Sequence, residues 1–218
     1  MKIVSINIGD RETLAGRSFH GVTGIFKRPR QEPVRVGELG LDGDAIVNGK
    51  HHGGPDQAVY LYRQEDYDWW SIELGRVLPP GTFGDNLTVA GLPEPDVVIG
   101  TRLAFSEVLL EVTAPRIPCN TLAQRMDDPR FARRFMQAER PGAYCRVIAA
   151  GSLAVDERFS LLAPAAGPHP PVSIVELFRA SKGKPTAEQL RRYLAAPIDA
   201  RTRLAFERRL QQTNIAER

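Results

Sequence analysis

Cysteine is scarce in this sequence: 218 residues contain two, Cys119 and Cys145. Two cannot build the disulfide framework of a small secreted domain, and a reducing interior is the expected compartment. No run approaches the roughly 20 apolar residues that a membrane helix needs. The opening Met1-Lys2-Ile3-Val4-Ser5-Ile6 alternates like a strand and lacks a signal peptide's long apolar centre. A cytoplasmic protein with no membrane partner is expected. The 19 glycines and 17 prolines follow no fixed period, which excludes a collagen-like chain. No Gly-Lys-Ser/Thr, Gly-x-Gly-x-x-Gly, Cys-x-x-Cys or His-x-x-x-His occurs, so P-loop, dinucleotide and zinc readings lack their usual marks. Aromatic residues do not interleave with basic ones as a nucleic-acid stacking platform requires.

What is present is globular in composition, 42 % hydrophobic and 25 % charged. Charge is uneven along the chain. Residues 172–218 hold 10 Lys/Arg against 5 Asp/Glu, whereas residues 1–171 hold 19 against 21. Such asymmetry suggests two modules, the second most simply the solvated face of small Arg-rich helices, or else a surface for nucleic acid or an acidic partner.

Short apolar or alternating runs at Lys2–Ile8, Ala58–Tyr62, Arg102–Thr113, Ala143–Ala149 and Leu153–Leu162 predict strands. Without regular βαβ alternation, they argue for a mainly β barrel or sandwich over residues 1–163. Two helical patches interrupt them. One runs from Gln64 to Leu74 with Gly75 as its stop; the other opens at Asp128-Pro129 and places Phe131 and Phe135 on one face. Residues 164–171 form a Pro-rich linker. Three short helices are expected over 172–218, the first capped by Ser173, the second by a Thr186…Gln189 capping box, and the third, with Leu204, Phe206 and Leu210, following Asp199.

Three features could carry chemistry. Cys119 follows a predicted strand in Pro115-Arg116-Ile117-Pro118-Cys119-Asn120, where two prolines stiffen the loop and Arg116 can favour a thiolate. A buried structural cysteine is the alternative, and it is the preferred reading for Cys145 inside a strand. His51-His52-Gly53-Gly54-Pro55-Asp56 offers a proton donor, a metal ligand or an anion contact, or simply a hydrogen-bonded loop histidine. Glycine turns at Gly40–Asp44 and Gly81–Leu87 can hold anions on exposed amides or serve as ordinary hairpin turns.

The order of these stations resembles the MOSC domain family, named for the C-terminal part of molybdenum cofactor sulfurase, and is most like its YiiM-type bacterial branch. The resembling residues are Lys27-Arg28-Pro29, Gly40-Leu41-Asp42-Gly43-Asp44, His52-Gly53-Gly54-Pro55-Asp56-Gln57-Ala58-Val59, Gly84-Asp85-Asn86-Leu87, Ile99-Gly100, Pro115-Arg116-Ile117-Pro118-Cys119 and Pro141-Gly142-Ala143. Two positions depart from the pattern: Asp85 stands where Glu is frequent, and Thr101 where Asp is frequent.

The resemblance implies a closed β-barrel followed by the three-helix module. It implies the pyranopterin molybdenum cofactor as ligand, with Cys119 as the metal's protein ligand and a catalytic residue beside His52. Lys27, Gly43, Gly84, Arg116 and Asn120 would hold the cofactor; Asp56 and Asn86 would fix pterin or substrate. It further implies reduction of N-hydroxylated compounds, such as N-hydroxylated purine analogues, with electrons from a separate donor protein and a homodimer as a further expectation. Neither the pyridoxal phosphate domain nor the iron–sulfur domain of some relatives is expected, since two cysteines cannot supply four cluster ligands. Two other functions fit the same residues: a cofactor or sulfur carrier bearing a persulfide on Cys119, and a Cys-dependent hydrolase or transferase with His52 as base.

Overall fold

The computed structural model describes residues 1–49, 52–92 and 97–216. Its strands are β1 (Lys2–Gly9), β2 (Glu12–Leu14), β3 (Gly21–Thr23), β4 (Lys27–Arg30), β5 (Val34–Gly37), β6 (Gly40–Leu41), β7 (Val59–Arg63), β8 (Leu87–Ala90), β9 (Arg102–Ala104), β10 (Leu109–Pro115), β11 (Ala143–Ala149), β12 (Gly151–Leu153) and β13 (Ser160–Leu162). The helices are α1 (Gln64–Leu74), α2 (Asn120–Arg125), α3 (Phe131–Ala138), α4 (Ile174–Lys182), α5 (Ala187–Ala195) and α6 (Ala200–Ala216). Among the described residues, no helix is long and apolar enough to cross a membrane.

The chain is sheet-rich, as expected, but the expected closed barrel is not found among the described residues. Eight strands pair in the order β13-β9-β10-β11-β7-β8-β1-β4, leaving β13 and β4 as edges. The sequence of β4 explains why pairing stops there: Lys-Arg-Pro-Arg is charged, and Pro29 has no N–H to donate to another strand. A single antiparallel bridge, Lys2 with Arg158, and flanking hydrogen bonds join the start of β1 to the segment before β13, short of a strand ladder: Ile3 N–H reaches Glu157 O at 2.9 Å and Asp156 N–H reaches Ile3 O at 3.0 Å. A small sheet, β12-β5-β6, and the β2–β3 hairpin flank the main one.

Two expected strands are each broken by a turn. Arg102–Thr113 divides into β9 and β10, and Leu153–Leu162 into β12 and β13 around Asp156, whose φ is 63°. The helix expected at Asp128-Pro129 begins at Phe131, because Asp128 makes a turn, accepting from Arg130 N–H at 2.8 Å through its side chain. α1 occupies the predicted span and ends on left-handed Gly75, φ 63°. Ser173, Thr186 and Asp199 cap α4, α5 and α6, each through a side-chain oxygen that accepts backbone N–H groups.

One apolar cluster runs from Ile3 and Ile6 of β1 through Leu110 and Val112 of β10 to Leu177, Leu190, Tyr193 and Phe206 of the C-terminal helices. A second, aromatic cluster joins Tyr62, Tyr67, Trp70, Phe83, Phe131 and Phe135 beneath α1 and α3. Buried Asp85 anchors it, accepting from Tyr67 Oη at 2.5 Å and Thr88 Oγ1 at 2.7 Å. The shorter carboxylate at this station is therefore fully engaged in holding the turn.

The basic tail has an internal explanation. Arg203 donates to the carbonyls of Leu194 and Ala196 where α5 ends, at 2.8 and 2.9 Å. Arg209 does the same for Ala180 and Ser181 in the last turn of α4, at 2.9 and 3.1 Å. Arginine suits this role, since unpaired carbonyls and a negative dipole end both attract it.

Candidate functional site

The strand β10 ends at Pro115, paired with Ala143 of β11, and the next four residues cross to α2. Prolines at 115 and 118 restrict this crossing, so Arg116 and Cys119 are held by backbone stiffness as well as by packing. Cys119 sits just before α2 in extended geometry, φ −127° and ψ 171°. Its half-buried thiol and His52 line the same cavity. Burial pushes the thiol up, but the neighbouring His52, the Arg116 charge and the Leu122 backbone N–H outweigh it and bring the pKa from 9.0 to about 6. This environment favours the thiolate at neutral pH. Cys145 has the opposite environment: buried in β11 and near Glu111, its thiol is pushed up to about 12.

Two buried cations lie beside Cys119, in different states. Lys27 is ion-paired with Asp44, and that carboxylate also accepts from Gly9 N–H and from Asn86 Nδ2, each at 2.9 Å. Burial lowers the Lys27 pKa, and the Asp44 contact opposes that shift. Arg116 is 4 % exposed, and its Nε and Nη1 have no hydrogen-bond partner among the described residues. Its guanidinium lies 5.3 Å from the ring centre of Tyr60, which is itself 5.0 Å from that of Tyr144. A cation–π contact offsets part of the desolvation cost but gives no acceptor to in-plane N–H groups. Those two donors are ready for an anion.

These groups face a cavity of about 420 Å³, within the usual range for a small-molecule site. Six of the expected residues line it: Lys27, His52, Gly84, Asn86, Arg116 and Cys119. Asn86 has little to offer a ligand, because its Oδ1 accepts from Tyr60 N–H at 3.1 Å and its Nδ2 serves Asp44. Gly43, Asp56 and Asn120 are not in the lining. Gly43, φ 82°, shapes the turn that presents Asp44. Asp56 pairs with Arg146 at 3.0 Å and accepts from Ala200 N–H at 2.9 Å, toward the C-terminal helices. Asn120 is exposed at the start of α2. His51 lies outside the described residues.

The sequence reading missed Asp44, Gln57, Tyr60, Thr121 and Tyr144, all in the lining. Asp44 closes the Gly40–Asp44 station and could have been suspected as the counter-charge of Lys27; the tyrosines gave no signal beyond strand propensity. Among the described residues, no three His, Cys, Asp or Glu side chains gather to hold a metal ion. Cys119 therefore stands as a single soft donor beside one imidazole and one unpaired guanidinium.

A site of this kind, on this sheet, is that of a MOSC domain: the sequence pattern of that family matches residues 48–160, and the chain belongs to it. Among individual proteins it is similar to YflK of Bacillus subtilis (strain 168), an uncharacterized protein, with 36 % identity over 160 residues, 73 % of this chain and 72 % of YflK. A protein named reductase from Gibberella moniliformis (strain M3125 / FGSC 7600) is 30 % identical over 184 residues, covering 78 % of this chain but 31 % of the longer relative. The crystal structure of YiiM from Geobacillus stearothermophilus matches with a TM-score of 0.78 at 29 % identity, over 96 % of this chain and 98 % of that one.

Proposed function

We propose that this protein is an oxidoreductase that binds the molybdenum cofactor through Cys119 and reduces N-hydroxylated compounds, N-hydroxylated purine analogues among them. The observation that carries the reading is the meeting of Cys119, His52 and the orphaned donors of Arg116 in one cavity, where the neighbouring charge lowers the thiol pKa. Membership of the MOSC family and the reductase-named relative support it. The residues fit the group. A low-pKa thiolate is the soft donor that molybdenum accepts, and two unpaired, buried guanidinium N–H groups suit a phosphate. When bound, the cofactor supplies the two-electron chemistry of the reduction.

The chain's own contributions follow from geometry. Arg116 binds the anionic end of the ligand, while Asp44 leaves Lys27 too well paired to compete for it. Tyr60 and Tyr144 form an aromatic wall that excludes water from one side. Conversion of R–NHOH to R–NH2 and water consumes two electrons and two protons, and the His52 imidazole is placed to hold one of those protons. Electrons come from a separate donor protein.

The thiolate and His52 would also suit a Cys–His nucleophile, so the experiment must separate the two. Wild type and Cys119→Ser, produced in cells that make the cofactor, are compared for molybdenum content and hydroxylamine reduction. Loss of both in the variant is expected. Molybdenum content equal to wild type in Cys119→Ser refutes the ligand assignment, and metal-free wild type that hydrolyses thioesters favours the nucleophile.

A further inference from the structure

We propose that Arg201, from the C-terminal helix α6, is a positioning residue that holds the His52 loop against Cys119 and makes the helical tail part of the site. Its guanidinium reaches four acceptors on that loop and the turn after it. Nη1 donates to Gly53 O and Gln57 Oε1, both at 2.9 Å, and Nη2 donates to Gly49 O at 2.9 Å and His52 O at 3.4 Å.

The loop needs an outside brace. Gly53 and Gly54 have φ of 68° and 85°, a backbone that is freely adopted only without side chains and is therefore easily lost. The carbonyls of Gly49, His52 and Gly53 have no sheet ladder to satisfy them, and a planar five-donor fork can serve several at once, which a lysine cannot. Arg201 is itself fixed, because Asp199 Oδ1 accepts its backbone N–H at 3.1 Å and also accepts from Gln57 Nε2 at 3.2 Å. Asp56 adds a second tie by accepting from Ala200 N–H at 2.9 Å. The first turn of α6 is thus bonded to both sides of the segment that presents His52. The inference rests on the proposed function only in taking the Cys119–His52 face as the reacting one.

The test reads the loop directly, by amide hydrogen exchange at His52 and Gln57 and by the imidazole proton resonances of His52. Arg201→Gln is compared with Arg201→Lys and with Arg209→Gln, which removes two carbonyl contacts made by the same helix, further from the loop. In Arg201→Gln we expect exchange of these two amides to accelerate roughly tenfold or more, with displaced His52 resonances. Arg201→Lys should lie between it and wild type, and Arg209→Gln should stay within about twofold of wild type. Unchanged exchange in folded Arg201→Gln, or an equal rise in Arg209→Gln, overturns the proposal. Should Arg201→Gln fail to fold, Arg201→Lys decides alone, and a rise below about twofold overturns it. None of these readouts involves molybdenum, so they stand or fall separately from cofactor binding.

Discussion

Replacing His52 with Gln isolates the interaction that makes Cys119 acidic. Opposing influences act on the thiol: burial raises its pKa, while His52, the Arg116 charge and the Leu122 backbone N–H lower it, with a net result of about 6. At pH 7 a pKa of about 6 leaves about nine-tenths of the sulfur as thiolate. Removing His52 leaves burial opposed chiefly by Arg116, so the midpoint should climb by at least about one unit, which cuts the thiolate at pH 7 to about half or less. The assay is the pH dependence of alkylation by iodoacetamide on metal-free protein, with the modified cysteine identified by mass spectrometry. Cys145, buried and pushed up to about 12, should stay unlabelled in the folded state and serves as an internal control. The sign for stability follows as well. A thiol acidified by folding contributes stability that is complete above its unfolded pKa and is lost as pH falls through about 6. An ordinary thiol midpoint near 9 in wild type, or a midpoint that does not move in His52→Gln, would refute the reasoning.

Arg116→Met should leave the ligand-free protein as stable as wild type or slightly more so, since it removes a buried charge with two unpartnered nitrogens; inorganic phosphate should raise the melting temperature of wild type but not of this variant. Asp44→Ala should destabilise by about 3–5 kcal/mol in urea unfolding, because it strands the Lys27 ammonium in the interior, and the double variant Lys27→Met/Asp44→Ala should recover part of that loss. Gly142→Ala should cost well over about 1 kcal/mol, since φ is 64° and a Cβ there would lie 2.5 Å from Leu61 O; a melting temperature equal to wild type would contradict it.

The sequence was most legible where local chemistry decides. α1 ends at Gly75 because the left-handed stop needs no partner elsewhere, and the Thr186–Gln189 box is closed within four residues. Cys119, Arg116 and His52 could be picked out because each stands beside proline or glycine in a distinctive order, and the fold brings all three to one cavity. What escaped was long-range. Whether a sheet closes depends on the two strands that end up at its edges, and nothing within Lys27–Arg30 or Ser160–Leu162 reveals the other's position. Asp56 reads like a ligand-binding carboxylate until Arg146 and Ala200, far along the chain, are seen to occupy it. Arg203 and Arg209 read as part of a solvated or docking face because their acceptors are main-chain carbonyls, which the alphabet of side chains does not record.

The order of strands also sets a timetable for synthesis. β1, with Ile3, Ile6 and Ile8 buried in the finished sheet, pairs on one side with β4 but on the other with β8 at residues 87–90. A growing chain therefore carries an oily strand with one open flank through about 80 residues of elongation, when mispairing with a neighbouring nascent chain competes with the correct partner. The charged Lys-Arg-Pro-Arg ribbon that reaches β1 first shields one of its two sides during that wait.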